Sequence, residues 1–170
     1  MIIAGFSGIG KSTFCREVAE AVDFDCMPFK YSNLDSLLVS GRSIEELKAS
    51  PELDFVCNWE SAYLEAILAC RRQNPQACIV IPSAARVLRG LERSGVPFLL
   101  CYPRPEAREE YRRRFEQRGN TARFIEIFIG GWEHWMKSLR QDPCTIRLEM
   151  KPSEYLLDLK PQIDCLAGRL

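Results

Sequence analysis

Short apolar runs alternate along this chain with longer segments in which hydrophobic residues recur every three or four positions. The apolar runs predict five strands, at residues 1–4, about 21–24, 77–81, 97–102 and 144–149. The third and fourth runs, ACIVI and VPFLLCY, are apolar throughout, which is typical of central strands covered by helices on both faces. Strands that alternate with helices in this way predict a layered α/β domain with a mostly parallel sheet.

Five longer segments have one apolar and one polar face and predict helices at residues 11–20, 59–72, 84–93, 105–118 and 121–139. Pro105 suits a first helical turn, and Gly95 lies just beyond a helix end. Between the second strand and the helix that begins at Trp59 lies an insertion at about residues 25–58. We expect it to hold one or two short helices, and an insertion of this length between sheet elements is usually functional.

Composition then narrows the class of protein. The chain has 170 residues, of which 46% are hydrophobic, enough to fill one core in a single domain. Lys plus Arg and Asp plus Glu both total 23. The chain therefore has no excess of positive charge that would favour an extended nucleic-acid surface. No apolar run is long enough to span a membrane. The eight cysteines contain no C-x-x-C pair, so we expect a cytoplasmic protein without a disulfide framework or a zinc site.

A glycine-rich motif stands between the first strand and the first helix. Residues 5–12 read GFSGIGKS and fit G-x-x-x-x-G-K-[ST], the phosphate-binding P-loop pattern, in the strand-to-helix context that this pattern requires. Gly5, Gly8 and Gly10 permit backbone angles and close approaches that a Cβ would forbid, so successive N–H groups can face phosphate oxygens. The helix start adds partial positive charge. The alternative is a glycine-rich turn with an incidental lysine.

The polar positions of this motif have distinct expected roles. Lys11 would place a positive charge on the β- and γ-phosphates, the Ser12 hydroxyl would ligate Mg²⁺, and Thr13 would assist near the α-phosphate. The remaining nucleotide-binding positions are Gly5, Ser7, Gly8, Ile9 and Gly10. We therefore expect ATP and Mg²⁺ as cofactors.

An arginine-rich segment follows the fourth strand. Residues 102–120 read YPRPEAREEYRRRFEQRGN, and Arg114 and Arg118 are spaced i, i+4 on the predicted helix. In a kinase, a lid at this place, here about residues 103–120, carries arginines onto the transferring phosphoryl group and neutralises its charge. The alternative is a solvated face on which the glutamates of the same helix pair with the arginines.

Residues on the acceptor side are scattered along the chain. An aromatic ring such as Phe29 can stack on a nucleobase, and Arg86 can hold an acceptor phosphate. Core packing and a surface position are the respective alternatives. No Asp closes the third strand, so Ser83 or Asp25 would have to supply an outer ligand for magnesium.

These segments together resemble a known family. The chain is similar to the small P-loop kinases of the nucleoside-monophosphate-kinase type, and especially to adenylate-kinase-like proteins of phages and prophages. The similarity lies in the GFSGIGKST loop, the acidic stretch DFDCMPF at residues 23–29, the YP…EEY…R…RGN segment and the helix GWEHW at residues 131–135. The chain departs from the family pattern at Cys26 and Met27, where serines are usual, and at residues 81–84, where a more polar or acidic strand end is usual.

The resemblance implies a five-stranded parallel sheet in the order 2-3-1-4-5 and a three-layer P-loop fold. It also implies an acceptor pocket lined by Asp25 and the following segment, and lid roles for Arg114 and Arg118. The predicted function is an ATP-dependent kinase that moves the γ-phosphoryl group to a nucleoside monophosphate. Because a monophosphate is already an ionised nucleophile, this transfer needs no general base.

Two other functions stay open. The first is a kinase of a hydroxyl acceptor, such as a nucleoside, a sugar acid or a polynucleotide end, with Asp25 as the base. The second is a nucleotide-binding regulatory protein with little turnover, which the unusual end of the third strand keeps open.

Overall fold

A five-stranded parallel sheet forms the centre of the molecule. The structure, a computed structural model, describes residues 1–41, 47, 52–142 and 146–168. The strands are β1 (Ile2–Gly5), β2 (Ala21–Asp23), β3 (Cys78–Pro82), β4 (Leu99–Pro103) and β5 (Ile146–Met150). They lie in the order 2-3-1-4-5, and each neighbouring pair runs parallel. Both the parallel pairing and the order are therefore confirmed, and residues 144 and 145 of the fifth predicted strand lie outside the described residues.

The central strands are buried because their sequences are apolar on both faces. In β1 and β4 every residue is buried, and in β3 only Pro82 at the end is partly exposed. Burying one Val, Leu or Ile side chain contributes about 1.5–3 kcal/mol, so these strands anchor the core. The edge strand β2 has only three residues, and Val22 within it is exposed.

Helices flank the sheet and complete a three-layer α/β fold. They are α1 (Lys11–Glu17), α2 (Met27–Lys30), α3 (Leu34–Val39), α4 (Trp59–Gln73), α5 (Ala85–Arg93), α6 (Arg108–Gln117), α7 (Ala122–Ile125), α8 (Trp132–Gln141) and α9 (Lys160–Ala167), with 3₁₀ turns at Pro105–Ala107 and Leu156–Leu159. The helices α2 and α3 confirm the expectation of short helices in the insertion, of which residues 42–46 and 48–51 lie outside the described residues. Among the described helices, none combines the length and the apolar character needed to cross a membrane.

The prediction of one continuous helix at residues 121–139 is wrong. The chain forms α7, a π-helical turn at Glu126–Gly130, and then α8. Two glycines interrupt the segment, and a Cβ on Gly131 would lie only 2.8 Å from the carbonyl oxygen of Ile127. The indole of Trp135 folds back and donates to that same carbonyl at 3.1 Å. Glycine weakens a helix interior, and the side-chain donor stabilises the bend instead.

Candidate functional site

The glycine-rich loop, residues 5–12, connects the carboxyl end of β1 to α1 at the middle of the sheet. Gly8 and Gly10 have φ of +83° and +88°, in the left-handed region that favours glycine. A Cβ on Gly8 would lie 2.8 Å from Cε1 of Phe115, and a Cβ on Gly10 would lie 3.2 Å from Cδ1 of Tyr155. Both positions therefore require glycine for their backbone angle and for their close packing.

Several backbone donors of this loop are left without an acceptor. Within the described part of the chain, nothing accepts a hydrogen bond from the N–H groups of Ser7, Gly8, Ile9 or Gly10. The first N–H groups of α1 have no intrahelical acceptor either, and no side chain caps this helix. Successive unpaired N–H groups around a bend form a concavity that suits an anion.

Lys11 places its ammonium group inside the glycine-rich loop. Its Nζ donates to the carbonyl oxygen of Gly5 at 3.1 Å and to that of Phe6 at 3.0 Å. The aliphatic part of the side chain packs against Gly5, where a Cβ would lie 3.0 Å from Cδ of Lys11. A positive charge and the unpaired N–H groups thus belong to the same eight-residue loop.

Charged residues from two other elements act on this ammonium. Burial lowers the pKa of Lys11 to about 8. The positive charge of Arg118 contributes to this lowered pKa, whereas the carboxylates of Asp23 and Asp25 oppose it. The glycine-rich loop, the end of β2 and the end of α6 therefore converge on one site.

Oxygen ligands of the kind that Mg²⁺ prefers are present here. Ser12 and Thr13 are exposed in the first turn of α1, and Asp23 at the end of β2 and Asp25 just after it are exposed too. Asp25 also accepts a hydrogen bond from the backbone N–H of Met27 at 3.2 Å, which fixes the start of α2. In the described residues, no three His, Cys, Asp or Glu side chains gather into a closed metal cluster.

The predicted acceptor residues lie around the first turns of α4. The ring of Phe29 meets the ring of Tyr63 edge-on, with centroids 5.1 Å apart. The hydroxyl of Tyr63 donates to the backbone carbonyl of Phe24, the residue before Asp25, so Asp25 lies in the same region. The guanidinium of Arg86 lies 3.9 Å from the carboxylate of Glu60, and 65% of the Arg86 side chain is exposed. Asp25, Phe29 and Arg86 are thus connected through one helix.

The two arginines predicted for the lid have different surroundings. Arg118 is exposed at the end of α6, and its side chain makes no hydrogen bond or ion pair with any described residue. Arg114 is only 4% exposed, and its guanidinium donates to the carbonyl oxygens of Gly8, Pro152 and Glu154 at 3.4, 2.6 and 3.2 Å. The structure therefore leaves one arginine accessible beside Lys11 and encloses the other behind the loop.

The helix α6, which makes up most of the predicted lid segment, packs against the glycine-rich loop. Tyr111 and Phe115 are fully buried on its inner face, and both rings approach Gly8. The Tyr111 ring also packs against Phe6 and Trp132, with centroids 6.1 and 5.3 Å apart. Aromatic side chains of α6 therefore support the loop from behind.

Sequence reasoning gave no role to residues 152–156, which follow β5 and contact the loop. The ring of Tyr155 lies against Gly10, and Leu156 donates its backbone N–H to the carbonyl oxygen of Ile9 at 2.8 Å. The sequence does contain one signal for this segment, an acidic residue, Asp158, three positions after Tyr155. In the structure the Asp158 carboxylate accepts a hydrogen bond from the backbone N–H of Tyr155 at 2.8 Å. That spacing is typical of a helix start.

No family model and no curated protein matches the chain. Solved structures do match. The tunicamycin resistance protein of Deinococcus radiodurans aligns with a TM-score of 0.61 and 15% sequence identity, over 98% of this chain and 95% of that one. An uncharacterized protein from Eubacterium ventriosum aligns with a TM-score of 0.52 and 11% identity, over 99% of both chains. At these identities the similarity establishes a shared fold.

Proposed function

We propose that this protein is a P-loop kinase of the nucleoside-monophosphate-kinase type, which binds ATP with Mg²⁺ and transfers the γ-phosphoryl group. The observation that carries the proposal is the glycine-rich loop, in which the unpaired N–H groups of residues 7–10 and the Lys11 ammonium belong to one bend. This arrangement suits the phosphates of a nucleotide. It occurs in the sequence pattern G-x-x-x-x-G-K-[ST] and at the carboxyl end of a central parallel strand, where α/β folds bind ligands.

On the donor side, Lys11 would leave the carbonyls of its own loop and bind the β- and γ-phosphates. The Ser12 hydroxyl would hold the magnesium ion, with Asp23 or Asp25 available as a further oxygen ligand. When bound, the metal ion neutralises negative charge on the phosphates. Arg118, exposed and close enough to affect the Lys11 pKa, is the arginine best placed to stabilise the transferring phosphoryl group.

On the acceptor side, a nucleoside monophosphate fits the residues around α4. The half-buried ring of Phe29 can contact a base, and Arg86 can contact the acceptor phosphate. Because that phosphate is already ionised, the reaction needs no general base. Asp25 would then contribute to acceptor binding and fix the start of α2 through its hydrogen bond with Met27.

The test is turnover with ATP, Mg²⁺ and a panel of ribo- and deoxyribonucleoside monophosphates, measured as ADP formation. Lys11→Ala serves as the control for contaminating kinases. The proposal expects ADP formation that requires an acceptor and disappears in the variant. Tight ATP binding without any acceptor-dependent ADP would contradict it and favour a regulatory nucleotide-binding protein.

A hydroxyl acceptor is the second candidate, and one observation favours it. The Asp25 carboxylate is exposed at the site, while the Arg86 charge is partly balanced by Glu60 at 3.9 Å. A carboxylate at this place can accept the proton of an attacking hydroxyl. The same assay should therefore include nucleosides, a sugar acid and, because one matching structure is a tunicamycin resistance protein, tunicamycin.

A further inference from the structure

Arg114 is the one charged side chain that is buried among the described residues. Its guanidinium lies between two aromatic rings, 3.9 Å from the ring centre of Tyr155 and 4.7 Å from that of Tyr111. Its Nε donates to a carboxylate oxygen of Glu110 at 3.3 Å. A guanidinium enclosed by rings and an opposite charge is fixed in position, because each contact restricts its orientation.

The other two guanidinium nitrogens of Arg114 donate to backbone carbonyls. Nη1 donates to Gly8 in the glycine-rich loop, and Nη2 donates to Pro152 and Glu154 in the post-β5 segment, residues 152–156. Backbone carbonyls that are shielded from water require a donor. Arg114 is therefore the side chain through which α6, the glycine-rich loop and the post-β5 segment are joined.

The post-β5 segment also contacts the glycine-rich loop directly. Leu156 donates its N–H to the carbonyl oxygen of Ile9 at 2.8 Å, and Tyr155 packs against Gly10. The residues Gly8, Ile9 and Gly10 thus each have a contact from Arg114 or from the segment that Arg114 holds. These are three of the residues whose N–H groups have no acceptor in the described part of the chain.

We propose that Arg114 is a positioning residue that holds the glycine-rich loop in its anion-binding conformation by fixing the post-β5 segment behind it. The inference rests on the proposed ATP-binding function of that loop. Arg114 could reach a transferring phosphoryl group only by leaving its contacts with Gly8, Pro152, Glu154 and Glu110. Arg118, one helical turn further along α6, has no such contacts to lose.

The first experiment compares Arg114→Lys and Arg114→Met with Arg112→Met. Arg112 is the matched control because it lies on the same helix and pairs with Glu109, which does not contact Arg114. Lysine keeps the charge but lacks the planar fork of donors, so it replaces the carbonyl contacts only in part. We expect both Arg114 variants to raise the KM for ATP about tenfold or more, with the acceptor KM and kcat changed less than about threefold.

A different kinetic result would overturn the inference. If Arg114→Lys lowers kcat about a hundredfold or more and leaves the KM for ATP unchanged, Arg114 acts on the transition state instead. Arg118→Ala provides the comparison, because the proposed function expects this variant to lower kcat and leave the KM for ATP unchanged. If Arg114→Met does not fold, Arg114→Lys carries the test.

A second measurement does not depend on catalysis. The amide proton of Leu156 reports on the bond to Ile9, and that of Ile79, bonded to Met1 at the start of the sheet, is the control. In Arg114→Lys we expect amide exchange at Leu156 to accelerate about tenfold relative to Ile79. Equal changes at both amides would overturn the positioning role. A wild-type protein that binds no ATP would contradict the proposed function, and this exchange comparison would still decide the role of Arg114.

Discussion

The Nζ of Lys11 lies 3.0 Å from the carbonyl oxygen of Phe6, within the same loop that the lysine completes. The ammonium group is therefore satisfied by its own backbone in this conformation. A phosphate group that binds to the loop must attract the ammonium away from these carbonyls. In the proposed function, the protonation of this one group therefore determines how strongly the loop binds a phosphate.

Nucleotide affinity should decrease as the pH rises above about 8. Burial lowers the pKa of Lys11 to about 8 in the unbound protein, whereas bound phosphates would raise it again. The affinity for ATP is therefore highest below this pKa, where the unbound lysine is protonated. It falls above this pKa, where the unbound lysine is neutral. We expect ATP to bind about tenfold more weakly at pH 9 than at pH 7.5, as measured by titration calorimetry.

Two variants check that Lys11 is the group that titrates. Lys11→Arg should remove the decrease up to pH 9.5, because arginine stays charged over this range. Arg118→Gln removes a charge that lowers the pKa of Lys11, so the decrease should begin at a higher pH. An unchanged pH profile in Lys11→Arg would show that another group is responsible.

Substitution at Gly8 should destabilise the fold more than substitution at a glycine in an open turn. Gly8→Ala combines a left-handed backbone with a contact of 2.8 Å to the buried ring of Phe115. Together these should lower the free energy of unfolding by about 2–5 kcal/mol. Gly95, with φ of +63° and no atom within 4 Å of an added Cβ, is the control. For Gly95→Ala we expect the free energy of unfolding to fall by about 1 kcal/mol, as measured by urea denaturation. Equal losses at both sites would contradict the close packing of Gly8.

Asp25→Asn distinguishes the two acceptor classes. Asparagine retains an oxygen that can accept from the N–H of Met27, so α2 should keep its start. It cannot accept a proton from an attacking hydroxyl. Turnover of a hydroxyl acceptor should therefore fall about a hundredfold or more, whereas turnover of a monophosphate should fall less than about tenfold. Steady-state kinetics with both acceptor classes measures the difference.

Arg86→Ala should weaken the binding of a monophosphate acceptor. A charge-assisted contact to the acceptor phosphate contributes about 1.5–3 kcal/mol, so the acceptor KM should rise at least about tenfold while the KM for ATP is unchanged. The matched control is Arg93→Ala at the other end of α5, where the guanidinium donates to the Arg89 carbonyl at 3.3 Å and to no other described residue. If both variants bind the acceptor equally well, Arg86 is a surface residue. Thermal unfolding should be nearly unaffected, because the Arg86 side chain is mostly exposed and its ion pair with Glu60 at 3.9 Å contributes little.

Local sequence patterns were sufficient to predict the strands and most of the helices, whereas the strand order came from the family resemblance. Continuous apolar runs predicted β3 and β4, and the glycine spacing at residues 5–12 predicted a tight connection before α1. These features could be recognised because each depends on neighbouring residues. The G-x-x-x-x-G-K-[ST] motif and its position between a strand and a helix were enough to predict the site around Lys11.

Contacts between distant parts of the chain could not be predicted in the same way. Arg114 and Arg118 look equivalent in sequence, and only packing shows that one is buried against the Pro152 and Glu154 carbonyls while the other is exposed. The helix α9 was missed because the preceding residues form a 3₁₀ turn with little periodicity. The break before α8 depends on the Trp135 indole reaching Ile127, a contact that periodicity does not encode.

The hydrogen bond between Leu156 and Ile9 also has a consequence for synthesis of the chain. The glycine-rich loop at residues 5–12 is synthesised well before the segment at residues 152–156 that supports it. At about 5–20 residues per second, roughly seven to thirty seconds separate the two events on the ribosome. During this interval the nascent loop lacks its support, so the loop can reach its final conformation only after the segment around residue 156 has been synthesised.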